Sequence, residues 1–215
     1  MDIDIYADVV CPWCYIGKRR LELALKDFDG EVTVRFRPFQ LDPSTPRDGR
    51  PLMEWLAPKF GGAENARRMT QNTRGIAAVD GIEMDFEHAI IANTFDAHRL
   101  VWFVGRDHGA DVMEALHRAH FTDSVDIASH EVLADIAERF GFERQRVLDF
   151  LASEDGVDEV NAELRFAQEL GISSVPTFVF ANKYAMSGAA DPANLLEVMR
   201  EVQRREAASE PAGSR

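Results

Sequence analysis

Residues 3 to 18 read Ile3-Asp4-Ile5-Tyr6-Ala7-Asp8-Val9-Val10-Cys11-Pro12-Trp13-Cys14-Tyr15-Ile16-Gly17-Lys18, and the fold follows from the change of period inside this stretch. Up to Ala7 apolar residues alternate with Asp4 and Tyr6, and Val9-Val10 runs straight into the first cysteine, which suits a short strand ending at the sulfur. From Pro12 to Phe28 the apolar positions Ile16, Leu21, Leu23, Leu25 and Phe28 fit one buried helical face. Pro12 is tolerated in a first helical turn because the N–H it lacks would have no partner there. After Asp29-Gly30, Val32, Val34 and Phe36 alternate with Thr33, Arg35 and Arg37 as a second strand. Strand, helix and strand within about forty residues form a βαβ unit, expected to pair in parallel through a right-handed crossover.

Cys11 and Cys14 are the two cysteines of the 215-residue chain, so no disulfide can tie distant segments together and the 46% hydrophobic content must hold the fold by packing. The unpaired N–H groups of a helix start carry partial positive charge, so Cys11 is favoured as thiolate and becomes the nucleophile. One turn on, Cys14 is placed to attack a mixed disulfide formed on Cys11 and release the partner. Cys-x-x-Cys also suits half of a zinc site, but two further ligands of comparable spacing are missing from the sequence. His117 and His120, one helical turn apart, read as solvated or core-edge residues rather than ligands. No metal and no required cofactor are expected.

Beyond the βαβ unit, Leu41 to Pro51 carries Pro43, Pro46, Gly49 and Pro51 and reads as a linker. Helices are predicted near 52–60, 63–79, 88–107, 110–121, 129–140, 143–152 and 157–170, with Asp111 and Ser129 as N-caps. The β-rich run 172–180 follows, then a turn at Asn182-Lys183, a strand over 184–187 and a closing helix over 191–204, with Asp191 at its cap and Pro192 first inside. Residues 206–215 are polar, lack apolar periodicity and are expected to be disordered. Three acids in the first eight residues stand where a secretory signal would be basic, and no apolar run approaches the roughly 18 residues of a membrane span. The expectation is a cytoplasmic chain that does not engage membranes. A net charge of -13 and a pI near 4.9 oppose nucleic acid as a partner.

Val175-Pro176-Thr177 lies just before a β-rich run in a chain that opens with a cysteine-bearing βαβ unit, and this order of elements resembles the thioredoxin superfamily. More closely, Asp8 to Lys18, Pro38-Phe39-Gln40-Leu41 and Asn93-Thr94-Phe95-Asp96-Ala97-His98-Arg99-Leu100 resemble the FrnE-type branch of the DsbA family, over residues 3 to about 204. That family is related to 2-hydroxychromene-2-carboxylate isomerase and the kappa-class glutathione transferases. The resemblance implies an α/β, thioredoxin-like fold with a helical domain inserted after the first βαβ unit. Residues 1–40 and 155–205 would form the thioredoxin-like domain and 41–154 the insert.

It also implies a thiol–disulfide oxidoreductase in which Cys11 attacks, Cys14 resolves and a cis Pro176 packs against both. Val175 would bind the substrate chain, with Pro12, Trp13, Phe39, Gln40, Asn93, Thr94 and His98 as further substrate-binding candidates. Thr94 and His98 share a helix face on which they could line a groove beside Cys11. Asp8 would raise the Cys11 pKa or move a proton, unless it is a strand-end surface acid. Where DsbA has His between its cysteines this chain has Trp13, which adds apolar area without charge and turns the expected direction from strong oxidation to reduction or isomerisation. Protein or small-molecule disulfides and thiols are the expected partners, glutathione a candidate co-substrate, and the chain a monomer or homodimer. A rival reading is a glutathione-dependent isomerase or transferase acting on a small molecule. In those relatives the first motif position is typically Ser and the second cysteine is absent, unlike Cys11 and Cys14.

Overall fold

In the computed structural model residues 1–209 are described. Strand β1 (Asp2–Ala7) is central in a four-stranded sheet of order β2-β1-β5-β6. It pairs in parallel with β2 (Thr33–Pro38) across helix α1 (Pro12–Leu25), and antiparallel with β5 (Thr177–Phe180), which in turn pairs with β6 (Tyr184–Ser187). Ile3 to Ala7 are all buried, because β1 is covered on both faces. The acidic half of its alternation is absorbed by Asp4, which accepts from Arg35 at 2.8 Å and from Arg37 at 3.4 Å. The strand stops at Ala7 rather than at the cysteine. Asp8 to Val10 form a turn closed by Cys11 N–H donating to the Asp8 carbonyl at 3.1 Å.

Between the two halves of the sheet lie α2 (Leu52–Lys59), α3 (Ala63–Val79), α4 (Phe95–Phe121), α5 (His130–Glu138), α6 (Arg144–Ala152) and α7 (Val157–Glu169). They share the sheet's core: Ile3, Ile5, Cys14 and Leu21 pack in one cluster with Leu100, Met113 and Leu116 of α4 and Leu151 of α6. Each such fully buried aliphatic side chain contributes roughly 1.5–3 kcal/mol of transfer free energy. A second cluster joins Tyr15 and Ile16 of α1 to Leu52, Ile82, Phe86 and Phe121.

Four expectations are corrected. Helix α4 begins at Phe95, not at 88, because Ile90–Ile91 forms a two-residue strand β4 against β3 (Arg50–Pro51) and Asn93 then ties the chain down by donating to the Pro43 and Thr45 carbonyls. The break falls at Gly105 (φ 73°, ψ −173°) instead of near Gly109, which leaves Asp111 exposed inside α4 and not at a cap; Ser129 does cap α5, accepting from Val132 N–H. Helix α8 (Pro192–Ser209) runs past 204, since Glu206 accepts from Lys183 at 2.6 Å and from Tyr184 at 3.2 Å, so the expected disorder is wrong for 206–209. The remainder of that tail, 210–215, lies outside the described residues. His117 and His120 are neither solvated nor at the core edge but fully buried.

Candidate active site

Cys11 is the N-cap of α1 and Pro12 its first residue. The helix opens on Cys14 N–H donating to the Cys11 carbonyl at 3.0 Å, which sets the two sulfurs one turn apart. Both are free thiols; Cys11 is 4% exposed and Cys14 not at all. The loop of Val175 and Pro176 reaches Cys11 from just before β5. The Val175–Pro176 bond is cis, and the Cys11 thiol donates to the Val175 carbonyl at 3.8 Å. The loop is pinned from behind: Gly188 N–H donates to the Pro176 carbonyl at 2.8 Å, and the Thr177 hydroxyl lies 2.8 Å from both the Ser174 carbonyl and Ser187 Oγ. Gly17 completes the fit, because a Cβ there would sit 2.8 Å from Pro176 Cγ. Its place one helical turn after Cys14, on the same side of α1, was readable in the sequence; the approach of Pro176 was not.

The two thiols differ chemically. Burial, the hydrogen bond to Cys11 and the charges of Cys11 and Asp8 push the Cys14 thiol well above its ordinary value, opposed by the Asp8 main chain. Cys14 therefore holds its proton and offers it to Cys11 Sγ, which suits Cys11 for the first attack.

Asp8 is 1% exposed, so it is no surface acid. Its carboxylate accepts from Leu41 N–H at 2.8 Å and from His98 Nε2 at 3.3 Å, and His98 Nε2 also lies 3.0 Å from the Phe39 carbonyl. Both partners of Nε2 are acceptors, so this nitrogen carries the proton. Gln40 donates to Asn93 at 3.1 Å and to Thr94 at 3.3 Å. Thr94 and His98, 4% and 3% exposed, thus do not line an open groove beside Cys11. Together with Gln40 and Asn93 they close the 39–45 loop behind Asp8, and reach the sulfurs only through it. Trp13 is 38% exposed and Pro12 half-buried, which leaves them, with Val175, on the accessible side of Cys11.

Behind the site lies a second polar layer that sequence reasoning missed. Lys18 is buried and donates to Glu114 at 2.7 Å and to Glu22, while Tyr15 donates to Glu114 at 3.1 Å and stacks on His117. Burial opposes ionisation of Glu114, but Lys18 and Arg19 outweigh it and hold its carboxyl below the ordinary range. His117 Nε2 lies 3.4 Å from the Asp8 carbonyl. Its Nδ1 and both nitrogens of His120 have no hydrogen-bond partner. The Ile90 main chain favours a proton on His120 without meeting hydrogen-bond geometry. Burial holds the two rings neutral, lowering His117 to about 3 and His120 to about 4.

A cysteine pair at a helix start, facing a cis-proline on a β2-β1-β5-β6 sheet, places the chain in the thioredoxin class. The model of the DSBA-like thioredoxin domain matches residues 2–200, and the chain belongs to that family. It is similar to a probable DsbA oxidoreductase from Streptomyces coelicolor, at 31% identity and a TM-score of 0.88 over 100% of this chain and 93% of that one. Two more distant structures share the fold. A 2-hydroxychromene-2-carboxylate isomerase has 16% identity and a TM-score of 0.72, with 98% of this chain and 100% of that one covered. The cytosolic disulfide reductase DsbM from Pseudomonas aeruginosa, solved with GSH, has 18% identity and a TM-score of 0.63, with 97% and 100% covered. No helix among the described residues is long and apolar enough to cross a membrane.

Proposed function

We propose that the chain is a thiol–disulfide oxidoreductase acting as a disulfide reductase or isomerase. The observation that carries this reading is the unequal pair at the start of α1: Cys11 under the Val175 carbonyl, and Cys14 enclosed and protonated beside it. Cys11 thiolate attacks one sulfur of a substrate disulfide, forming a mixed disulfide and expelling the other sulfur as thiolate. Cys14 then loses its proton and attacks Cys11 Sγ; the second substrate thiolate leaves, and the Cys11–Cys14 disulfide holds the oxidising equivalent. Two electrons pass to the substrate. A dithiol, or two molecules of glutathione, returns the pair to thiols. Where a different thiolate of the same substrate attacks the substrate sulfur of the mixed disulfide instead, a new substrate disulfide forms, Cys11 leaves as thiolate, and the outcome is isomerisation with no net oxidation.

Trp13, Pro12 and Val175 supply the substrate-facing surface, and Pro176 shapes it from the opposite side. Phe39, Gln40, Asn93, Thr94 and His98 act as positioning residues through Asp8. Trp13 between the cysteines is apolar and brings no charge of its own to Cys11, which motivates the reducing direction, and a reducing compartment such as the cytoplasm suits it. The retained Cys14 weighs against a glutathione-dependent isomerase, whose chemistry has no use for a resolving sulfur.

Insulin reduction with glutathione as electron source tests the assignment. Cys11→Ser is expected to abolish turnover, and Cys14→Ser to accumulate a mixed disulfide on Cys11 visible by mass spectrometry. Undiminished turnover by Cys11→Ser would sink the reading.

A further inference from the structure

On the far side of His98 from Asp8, a cleft of about 190 Å³ opens between the free edge of β2, the Gly105 break of α4 and α7. A cavity of roughly 150 Å³ lined by apolar side chains takes up a benzene ring, so the space suits one aromatic ring. Its inner wall is apolar, with Val101, Met113 and Val160 nearly or fully buried, and Trp102 stands 41% exposed at the mouth. The polar lining is cationic in excess. Arg35 and Arg37 share Asp4, Arg37 also binds Glu163 at 2.7 Å, and exposed Arg106 makes no ion pair among the described residues. One positive charge thus remains over in a chain of net charge -13.

We propose that this cleft binds a small aromatic carboxylate, its ring against Val101, Met113 and Trp102 and its carboxylate on Arg106 at the cationic rim. Carboxylate recognition by guanidinium is charge-assisted, and here it is partly shielded from water by the cleft walls. Glu163 and Asp4 already neutralise Arg35 and Arg37, which limits the anion to a single charge. Gly109 keeps the wall open: a Cβ there would meet only Val101 Cγ1, at 3.8 Å, so a larger residue fits the helix and fills the cleft. The site is separate from the sulfur chemistry and stands or falls without it.

Benzoate titrated into the full chain and followed by ligand-detected NMR and calorimetry gives the test, with toluene as the uncharged control. The expected result is saturable benzoate binding, at least tenfold tighter than toluene, and weakened at least tenfold both by Arg106→Gln and by Gly109→Val. Circular dichroism and thermal unfolding establish that each variant is folded. Arg106→Gln is an exposed change that keeps the test valid if Gly109→Val is unstable. Absence of saturable benzoate binding, toluene binding as tightly as benzoate, or unchanged binding by Arg106→Gln would each overturn the proposal.

Discussion

Two buried polar clusters hang from the same helix and are built on opposite terms. At the start of α4, Arg99 is 3% exposed and uses all three guanidinium nitrogens: it binds Asp96 at 2.9 Å and the carbonyls of Phe150, Leu151, Ser153 and Asp155 between 2.7 and 3.2 Å. Its plane also covers the Phe150 ring at 5.0 Å, and His130 closes the other Asp96 oxygen at 3.0 Å. Five to six turns on, His117 and His120 are equally buried but leave three of their four ring nitrogens without partners. A satisfied buried network fixes position, and here it locks the C-terminal end of α6 and the turn after it to the helix that carries His98. An unsatisfied one adds no such hold, and its energy depends on the rings staying neutral. The rigid cluster lies away from the sulfurs; the unsatisfied one lies against Asp8 and Tyr15, directly behind them.

Removing the cation breaks the first cluster. Arg99→Met keeps apolar bulk but strands four carbonyls and leaves Asp96 to His130 and Arg47, and the loss of one partner of a buried ion pair costs about 3–5 kcal/mol. The expected result is a fall of that size in urea unfolding free energy. A change below about 1 kcal/mol would show that water replaces the guanidinium, and the contrast between the clusters would collapse.

Acid breaks the second cluster. Unfolded histidines take up protons below about pH 6.5, whereas the folded rings stay neutral down to about 3 for His117 and about 4 for His120. Their share of stability is therefore fully present above pH 6.5 and is lost as the pH falls, by about 1.4 kcal/mol per pH unit for each ring. Between pH 5.5 and 4.5 a loss of about 2–3 kcal/mol is expected in urea unfolding. His120→Leu should roughly halve that slope. Equal slopes in wild type and variant would mean that the unfilled nitrogens are not what acid acts on.

The same contrast explains what was legible beforehand. Changes of period marked β1, α1 and β2, and the Cys11–Cys14 spacing marked the site, because these are local patterns. Arg99 gives no such sign: a charged residue reads as surface until the carbonyls of 150–155, some fifty positions away, converge on it. His117 and His120 read as solvated or core-edge residues because their burial depends on Tyr15 and Phe121 closing over them. Two-residue strands such as β3 and β4 are too short to show a period, and Gly105 and Gly109 are equal candidates for a helix break until one backbone is seen at φ 73°.

The smallest effect probes the site's side of the contrast without touching a charge, through two helix-interior glycines that sequence alone cannot tell apart. At Gly75 of α3 a Cβ meets nothing within 4 Å, so Gly75→Ala should stabilise the chain by about 1 kcal/mol, the helix-propensity difference. At Gly17 the same gain is opposed by a 2.8 Å approach to Pro176 Cγ, with Phe178 Cζ at 3.3 Å behind it. Overpacking of this kind costs about 1–3 kcal/mol, so Gly17→Ala should end about 1 kcal/mol less stable than wild type. The ring of Pro176 is held by the Gly188 and Thr177 bonds and cannot swing aside as a flexible side chain would. Relief must come from moving α1 and the proline loop apart, which lengthens the Cys11 Sγ to Val175 carbonyl contact. Insulin reduction by Gly17→Ala should therefore fall further than its stability does, while Gly75→Ala keeps wild-type turnover. Equal stabilisation by the two substitutions would show that the proline loop yields freely, and that the site is no more tightly packed than the outer helices.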